Sequence, residues 1–184
     1  MKPEFNSFVI ADPDKCIGCR SCEIACAAKH REDTQGKTIG TMNNKVTPRL
    51  FFVKNKGNVM PVQCRHCEDA PCLNACPVNA IVEKDGSIII NESACIGCQT
   101  CTIVCPVGAV SLLPRTQGKV VTGGIQVKVR AAAYKCDLCK EEGGEPACVK
   151  ECPKEALRLV DPREDKKDRS VKAAMELLSI NANL

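Results

Sequence analysis

The chain has 184 residues, sixteen cysteines, a formal net charge of +4 and only 3% aromatic residues. Its length suffices for one domain or two small ones. The scarcity of aromatic residues and the mixing of acidic with basic residues argue against a nucleic-acid-binding protein, which needs a stacking surface and a basic patch. No apolar run is long enough for a membrane span, and the first residues lack a signal-peptide pattern, so we expect a cytoplasmic protein.

Cysteine at this density indicates disulfides, zinc or iron–sulfur clusters. Because cytoplasmic thiol-reducing systems oppose structural disulfides, a metal is favoured. The formal charge treats every cysteine as neutral. If all cysteines are thiolates and hold four clusters with cores of charge about +2, the net charge becomes about −4. Many lysines and arginines would then offset cluster charge.

The first predicted element is a strand at residues 8–10, which leads into a group of four cysteines. This first group consists of Cys16, Cys19, Cys22 and Cys26. Gly18, and Gly97 in the third group, lie where the backbone has to turn tightly around a cluster. We expect a short helix to begin at the fourth cysteine. Ala27 replaces the proline that follows the fourth cysteine of every later group, so this helix should continue through His30.

Residues 31–48 are polar and predict a surface loop, and residues 49–63 predict a hairpin. The second cysteine group follows and consists of Cys64, Cys67, Cys72 and Cys76. His66 lies inside it. The simplest interpretation is a polar residue near the surface, and the alternative is a residue that tunes a cluster or takes part in proton coupling.

Residues 77–94 predict a short helix, a hairpin with a Lys-Asp-Gly turn, and a strand that leads to the third group. This third group consists of Cys95, Cys98, Cys101 and Cys105. A further hairpin is predicted at residues 116–129. The fourth group consists of Cys136, Cys139, Cys148 and Cys152, and a strand at residues 157–160 follows it.

The first and third groups share the pattern CIGCxxCxIxC, and the second and fourth share a longer gap that contains proline. This alternation indicates an internal duplication. Runs of C-x2-C-x2-C-x3-C are typical of [4Fe-4S] ferredoxins, in which the fourth cysteine ligates the other cluster of the pair. Zinc sites usually combine two CxxC pairs across a long spacer, which these groups do not match.

Linker length decides which groups share clusters. The second and third groups are separated by 18 residues, a compact connection, whereas 37 residues separate the first and second. We therefore expect an inner module at residues 49–115 and an outer module made of residues 7–30 and 130–161. The strands at 8–10 and 157–160 should pair to close the outer module. Val59–Val62 should pair with Val110–Leu113 to close the inner one.

Cross-ligation within each module predicts four sets of ligands, named here set 1 to set 4. Set 1 is Cys16, Cys19, Cys22 and Cys152. Set 2 is Cys26, Cys136, Cys139 and Cys148. Set 3 is Cys64, Cys67, Cys72 and Cys105. Set 4 is Cys76, Cys95, Cys98 and Cys101. No nucleophile with its base, paired carboxylates or phosphate loop is evident, so no catalytic residue is predicted.

The predicted fold class is α+β, with two nested ferredoxin-like modules of short strands and helices and a C-terminal helix at residues 162–184. Asp161 can cap this helix and Pro162 suits its first position. Val171, Ala174, Met175 and Leu178 share one face. That face either folds back on its own body or docks on another subunit and promotes higher-order assembly.

The segments FVIADPDKCIGCRSCEIAC, CRHCEDAPCLNACPVNAI, CIGCQTCTIVCPVGAV and YKCDLCKEEGGEPACVKECPKEAL resemble a known family. This family comprises the four-cluster, ferredoxin-like electron-transfer subunits of anaerobic oxidoreductases. The resemblance is greatest to the small iron–sulfur subunits of formate hydrogenlyase and of hydrogen-dependent carbon dioxide reductase. It covers residues 8 to about 161.

The resemblance implies four [4Fe-4S] clusters that connect a formate dehydrogenase with a hydrogenase, and it carries cluster ligation onto all sixteen cysteines. Expected partners are those catalytic subunits and, in addition, a paralogous iron–sulfur subunit. We expect no membrane span and no catalysis by the chain itself. Two alternatives remain open. One is a free polyferredoxin or an accessory ferredoxin for enzyme maturation, and the other is a zinc-bound interaction module.

Overall fold

A computed structural model of the chain describes residues 5–30, 47–55, 57–122, 125–140 and 143–181, which contain five helices and eight strands. The helices are α1 (Ser21–Lys29), α2 (Pro71–Asn74), α3 (Thr100–Val104), α4 (Ala147–Lys150) and α5 (Pro162–Asn181). The strands are β1 (Phe8–Ala11), β2 (Leu50–Asn55), β3 (Asn58–Gln63), β4 (Ile81–Lys84), β5 (Ser87–Ile90), β6 (Ser111–Thr122), β7 (Ile125–Tyr134) and β8 (Leu157–Val160). Residues 31–46 of the predicted surface loop lie outside the described ranges.

The strands form four antiparallel pairs, β1 with β8, β2 with β3, β4 with β5, and β6 with β7. The pairing of β1 with β8 confirms the prediction for the two ends of the cysteine-rich region, with Val9 opposite Leu159. The β4–β5 hairpin turns at Asp85 and Gly86, whose φ values of 50° and 66° suit a tight turn. The predicted Lys-Asp-Gly turn is therefore confirmed.

The predicted pairing of Val59–Val62 with Val110–Leu113 is wrong. Strand β3 pairs with β2, and Leu112 and Leu113 pair with Ala133 and Ala132 of β7. Both strands are satisfied by the strand next to them in sequence, and a short loop closes at a lower entropy cost than one spanning the inner cysteine groups. The β6–β7 hairpin accordingly runs over Ser111–Tyr134, further than the sequence predicted.

The helices begin earlier in each cysteine group than predicted. Helices α1 and α3 start just before the third cysteine, not at the fourth. The reason lies at Arg20 and Gln99, whose left-handed backbone ends the cysteine loop and directs their carbonyl oxygens into the first helical turn. Helix α1 does run on to Lys29 with His30 as its C-cap, as predicted. No helix forms directly after Cys76, where the chain makes a turn instead.

Two small apolar cores hold the cysteines. The first, core A, contains Val9, Leu50, Ala109, Leu138 and Leu157 together with Cys22, Cys26, Cys64, Cys136 and Cys148. The second, core B, contains Ala80, Ile81, Ile88, Val110 and Ala132 together with Cys72, Cys95 and Cys101. Each core is thus a shell of aliphatic residues, alanine among them, around thiols. This is the arrangement expected where metal–thiolate bonds replace part of a hydrophobic core.

Helix α5 extends from the body with little of its surface covered. The carboxylate of Asp161 accepts a hydrogen bond from the Arg163 N–H at 2.9 Å, so the predicted cap at the start of the helix is confirmed. Asp165 pairs with Arg158 of β8 at 3.3 Å. Further along, the side chains of Val171 and Met175 are 53% and 64% exposed. Among the described residues, no helix has the length and apolar character to cross a bilayer.

Candidate metal centres

The four cysteine groups share one backbone feature, a left-handed residue directly before the second cysteine. These residues are Gly18, His66, Gly97 and Leu138, with φ values of 70°, 47°, 71° and 62°. The conformation turns the amide N–H back toward the first cysteine. His66 donates to the Cys64 Sγ and Gly97 donates to the Cys95 Sγ, each at 3.4 Å. Glycine was expected here, whereas a left-handed histidine or leucine costs roughly 1–2 kcal/mol and has no sequence signature.

The duplication inferred from the sequence extends to side-chain contacts around the first and third groups. The side-chain Oδ1 of Asp12 accepts the N–H of Asp14 at 3.0 Å, and the side-chain Oδ1 of Asn91 accepts the N–H of Ser93 at 3.1 Å. Within the groups, the Cys19 and Cys98 sulfurs each contact a hydroxyl two residues on, at 3.4 and 3.5 Å. These hydroxyls lower the pKa of both thiols and so favour the thiolate that binds metal.

Three cavities are each lined by all four cysteines of one predicted set. They belong to set 1, set 4 and set 3, and their empty volumes are about 320, 330 and 340 Å³. In each, three cysteines of one group face the fourth cysteine of another. Such near-equal volumes suit the same occupant at each site.

The cysteines of set 2 are also brought together, and three of them belong to core A. Cys26, Cys136 and Cys148 are buried, and Cys139 is partly buried. Burial and, to a lesser degree, the neighbouring Cys26 and Cys139 raise the pKa of the Cys148 thiol to about 12. A buried thiol of this kind is deprotonated only when a positive metal core compensates its charge.

The fourth cysteine of each group accepts a backbone N–H, but the donor differs between groups. Ala80, Ala109 and Ala156 each donate to the fourth cysteine four residues before them, at 3.3–3.4 Å. In these groups the proline after the cysteine ends the helix and frees that N–H. In the first group α1 continues, and the N–H of His30 is used inside the helix. The Cys26 sulfur receives the N–H of Arg49 instead, at 3.2 Å.

A network of charged side chains surrounds set 2. The Asp137 carboxylate lies 2.9 Å from the His30 Nε2 and 2.9 Å from the Arg49 Nη1. Arg49 also reaches Glu92, close to the third cysteine group, at 3.2 Å. Burial works against a charged His30, but hydrogen bonds to Asp137, Cys139 and Cys26 raise its pKa to about 12. The network therefore joins the first and fourth cysteine groups to the third.

His66 is buried, not near the surface as the simplest interpretation predicted. Its side chain is 1% exposed because it packs beneath β5, where its Nδ1 accepts the N–H of Ile88 at 3.0 Å. Burial, together with the charges of Lys135 and Lys140, lowers its pKa to about 3. The imidazole is therefore neutral at physiological pH, with the proton on Nε2, which has no partner among the described residues. Neither Lys135 nor Leu138 was singled out from the sequence.

The residues present fit iron–sulfur clusters. Thiols of three predicted sets line cavities, and within the described ranges seven backbone N–H groups donate to cysteine sulfurs, as cluster sulfurs require for tuning. Two family models match the chain, a 4Fe-4S dicluster domain over residues 55–122 and a 4Fe-4S binding domain over residues 13–29. Fold, sites and matches together define an iron–sulfur protein of the 4Fe-4S ferredoxin class.

Similarity to named proteins shows which family within this class the chain belongs to. The chain is 40% identical over 157 residues to the electron transport protein HydN of Escherichia coli K12, covering 85% of this chain and 89% of HydN. It is also 40% identical over 176 residues to formate hydrogenlyase subunit 2 of the same strain, covering 85% and 82%. The chain therefore belongs to the family of 4Fe-4S electron-transport proteins that includes HydN and formate hydrogenlyase subunit 2.

Among solved structures, a chain of the benzoyl coenzyme A reductase complex BamBC matches 97% of this chain and 97% of its own length. The sequence identity is 21% and the TM-score is 0.38.

Proposed function

We propose that the chain holds four [4Fe-4S] clusters in two nested modules and relays electrons between a formate dehydrogenase (CO2 reductase) and a hydrogenase. When bound, each cluster supplies a one-electron redox centre. The cysteines of sets 1 to 4 would hold them, with sets 1 and 2 in the outer module and sets 3 and 4 in the inner module. The pairing of β1 with β8 and the cysteine-lined cavities support this arrangement.

The distribution of exposure carries the relay proposal. Cys19 of set 1 and Cys98 of set 4 are the exposed cysteines, whereas sets 2 and 3 contain none. An electron relay between two enzymes needs one exposed cluster for each partner, with enclosed clusters between them. Core A contains cysteines of sets 1, 2 and 3, and core B contains cysteines of sets 3 and 4. Set 3 therefore borders both cores, which supports the order 1, 2, 3, 4.

The chain's own groups support a role without catalysis. The strongly interacting titratable residues, His30, Asp137 and Arg49, are tied to one another and to cysteines of set 2. No described residues form a nucleophile–base pair next to a substrate-sized cavity. The relatives are electron-transport proteins or subunits by name. We infer that the catalytic sites lie in partner subunits.

The formate–hydrogen assignment is tested in the assembled complex. Formate oxidation with an artificial acceptor and hydrogen oxidation with an artificial acceptor should both survive removal of this chain, because each needs only its own catalytic subunit. Hydrogen production from formate should stop. The purified chain should turn over neither substrate. Turnover by the chain alone, or formate-dependent hydrogen production without it, contradicts the proposal.

A second candidate is a free polyferredoxin or an accessory ferredoxin that serves enzyme maturation. It is kept because HydN, named as an electron transport protein, is as similar to the chain as the formate hydrogenlyase subunit. Anaerobic purification of the chain at native abundance distinguishes the two. A fixed subunit should co-elute with large catalytic subunits, whereas a free ferredoxin should elute by itself.

We further propose that α5 contacts another subunit and promotes higher-order assembly. Its second half carries Val171, Met175, Leu177 and Leu178, which are 53–64% exposed, and the preceding charged turns hold it in water. An apolar face of this kind is stabilised by a groove on a partner or by another copy of the helix. The helix therefore belongs with partner contact and not with cluster binding.

A further inference from the structure

Lys135 is a buried cation located between the two cores. It follows β7 and directly precedes Cys136, and its side chain is 2% exposed. Its Nζ donates to the carbonyl oxygen of Cys136 at 3.0 Å and to the carbonyl oxygen of Ile88. Cys136 belongs to set 2, whereas Ile88 lines the cavity of set 3. The ammonium group is therefore held by backbone oxygens on both sides of the boundary between these sets.

A chain of hydrogen bonds connects Lys135 with a sulfur of set 3. Lys135 donates to the oxygen of Ile88, and the N–H of Ile88 donates to the Nδ1 of His66 at 3.0 Å. The backbone N–H of His66 in turn donates to the Cys64 Sγ at 3.4 Å. The left-handed backbone of His66 makes this last bond possible. The position of Lys135 is thus fixed by the same strand and loop that shape the set 3 cavity.

Among the described residues, no carboxylate pairs with the charge of Lys135. Burying an ammonium group without a compensating charge is strongly unfavourable. Thiolate-bound clusters carry net negative charge, about −2 each with a core of about +2, and they are the available counter-charge.

We propose that Lys135 is a fixed cation that raises the reduction potential of the cluster held by set 3. Reduction adds one electron to that cluster and increases its negative charge, and a nearby buried cation stabilises the more negative form. Set 3 borders both cores and so lies in the interior of the proposed relay. Lys135 makes this cluster easier to reduce, so that it can hold an electron between its transfer from one partner and its transfer to the other. The inference rests on the proposed function, because it requires a [4Fe-4S] cluster in set 3.

The test compares redox titrations monitored by electron paramagnetic resonance for the full chain and its variants. Lys135→Gln keeps N–H donors for the two carbonyl oxygens but removes the charge, and Lys135→Arg keeps the charge. Lys166→Gln removes the same charge from the exposed part of α5 and is the matched control. The signal of set 3 is assigned as the one altered by Cys67→Ser. The titrant is a soluble chemical reductant.

Lys135→Gln should reduce the ratio of reduced to oxidised set 3 cluster about tenfold at the wild-type midpoint, which is about 59 mV for a one-electron couple. Lys135→Arg should remain near the wild type, as should Lys166→Gln. An unchanged set 3 midpoint in Lys135→Gln overturns the proposal, as does an equal shift in Lys135→Arg or in the control.

Measuring the iron content distinguishes a variant that no longer binds its cluster from a result that contradicts the proposal. If Lys135→Gln loses iron, Lys135→Met replaces it with the same expected shift, because its apolar chain needs no partner. If both neutral variants lose the set 3 iron and Lys135→Arg keeps it, a positive charge at position 135 is required beside the negative set 3 cluster. If Lys135→Arg loses it too, the role is packing and the proposal is wrong. A wild-type chain without a cluster in set 3 would instead overturn the proposed function.

Discussion

Arg49 donates its backbone N–H to the Sγ of Cys26 across 3.2 Å, although the two residues are 23 positions apart. The other three groups obtain the equivalent bond from an alanine four residues after the cysteine. The missing proline after Cys26 is thereby explained. Helix α1 continues to Lys29, its own amides are occupied, and a distant residue supplies the donor.

The side chain of Arg49 should keep that donor in place. Arg49→Leu removes ion pairs to Asp137 and Glu92, both of which are partly buried. We therefore expect the free energy of unfolding to fall by about 1–3 kcal/mol. The cluster of set 2 should then be lost several-fold faster under a chelator, measured by iron release and visible absorbance. Arg158→Leu, which breaks an exposed pair, is the control and should change little. Equal rates for the two variants contradict this role.

Cross-ligation predicts which cluster each cysteine substitution damages. Cys152→Ser should alter the cluster of set 1, although Cys152 is distant in sequence from the other three ligands. Cys148→Ser, four residues earlier and within α4, should alter set 2 instead. The spectroscopic signatures of the two variants should therefore differ, and Cys26→Ser should resemble Cys148→Ser. Identical signatures for Cys152→Ser and Cys148→Ser would falsify the proposed ligand sets.

Much of this arrangement was predictable because cysteine spacing and linker length are local properties. The same spacing that indicated four groups also indicated the sets that line three cavities. Glycine at positions 18 and 97 marked the left-handed turns, since no other residue adopts them so easily. The antiparallel pairing of β1 with β8 followed from the requirement that the first and last groups meet.

The remaining features depend on contacts between distant segments. The buried positions of His66 and Lys135 arise only when β5 and the end of β7 pack against the second group. The residues Arg49 and Asp137 meet across 88 positions, and no periodic pattern marks either one. The hairpin predicted at residues 49–63 is confirmed by the pairing of β2 with β3. The second pairing predicted for β3, with residues 110–113, is wrong because a strand has two edges, and its sequence does not say whether the second edge is used.

Gln99 offers a test of backbone strain in the third group. It has φ 69° and is exposed, so its side chain contributes little packing. Gln99→Gly should raise stability by about 1 kcal/mol, because glycine adopts this conformation without the penalty. For a chain of this size, the midpoint of thermal bleaching of the clusters should rise by about 2–4 °C. Gln99→Ala keeps the penalty and should show no rise, and a similar gain in both variants contradicts the interpretation.

Truncation after Asp161 tests the role of α5. The cluster ligands all precede this point, so iron content and electron transfer should be unchanged. The particle mass of the assembled complex, measured by light scattering or electron microscopy, should fall because the apolar face of α5 is gone. Substituting Met175 and Leu178 by Glu in the full chain should have the same effect. Normal assembly of the truncated chain, or loss of its clusters, argues that the helix belongs to the body.

The central claim is that the sixteen cysteines hold four [4Fe-4S] clusters. Iron and acid-labile sulfide analysis of the anaerobically purified chain, combined with Mössbauer spectroscopy, tests it most directly. The account predicts about sixteen irons and about sixteen sulfides per chain, all in [4Fe-4S] form. Zinc in place of iron, or about half the expected iron, would contradict it.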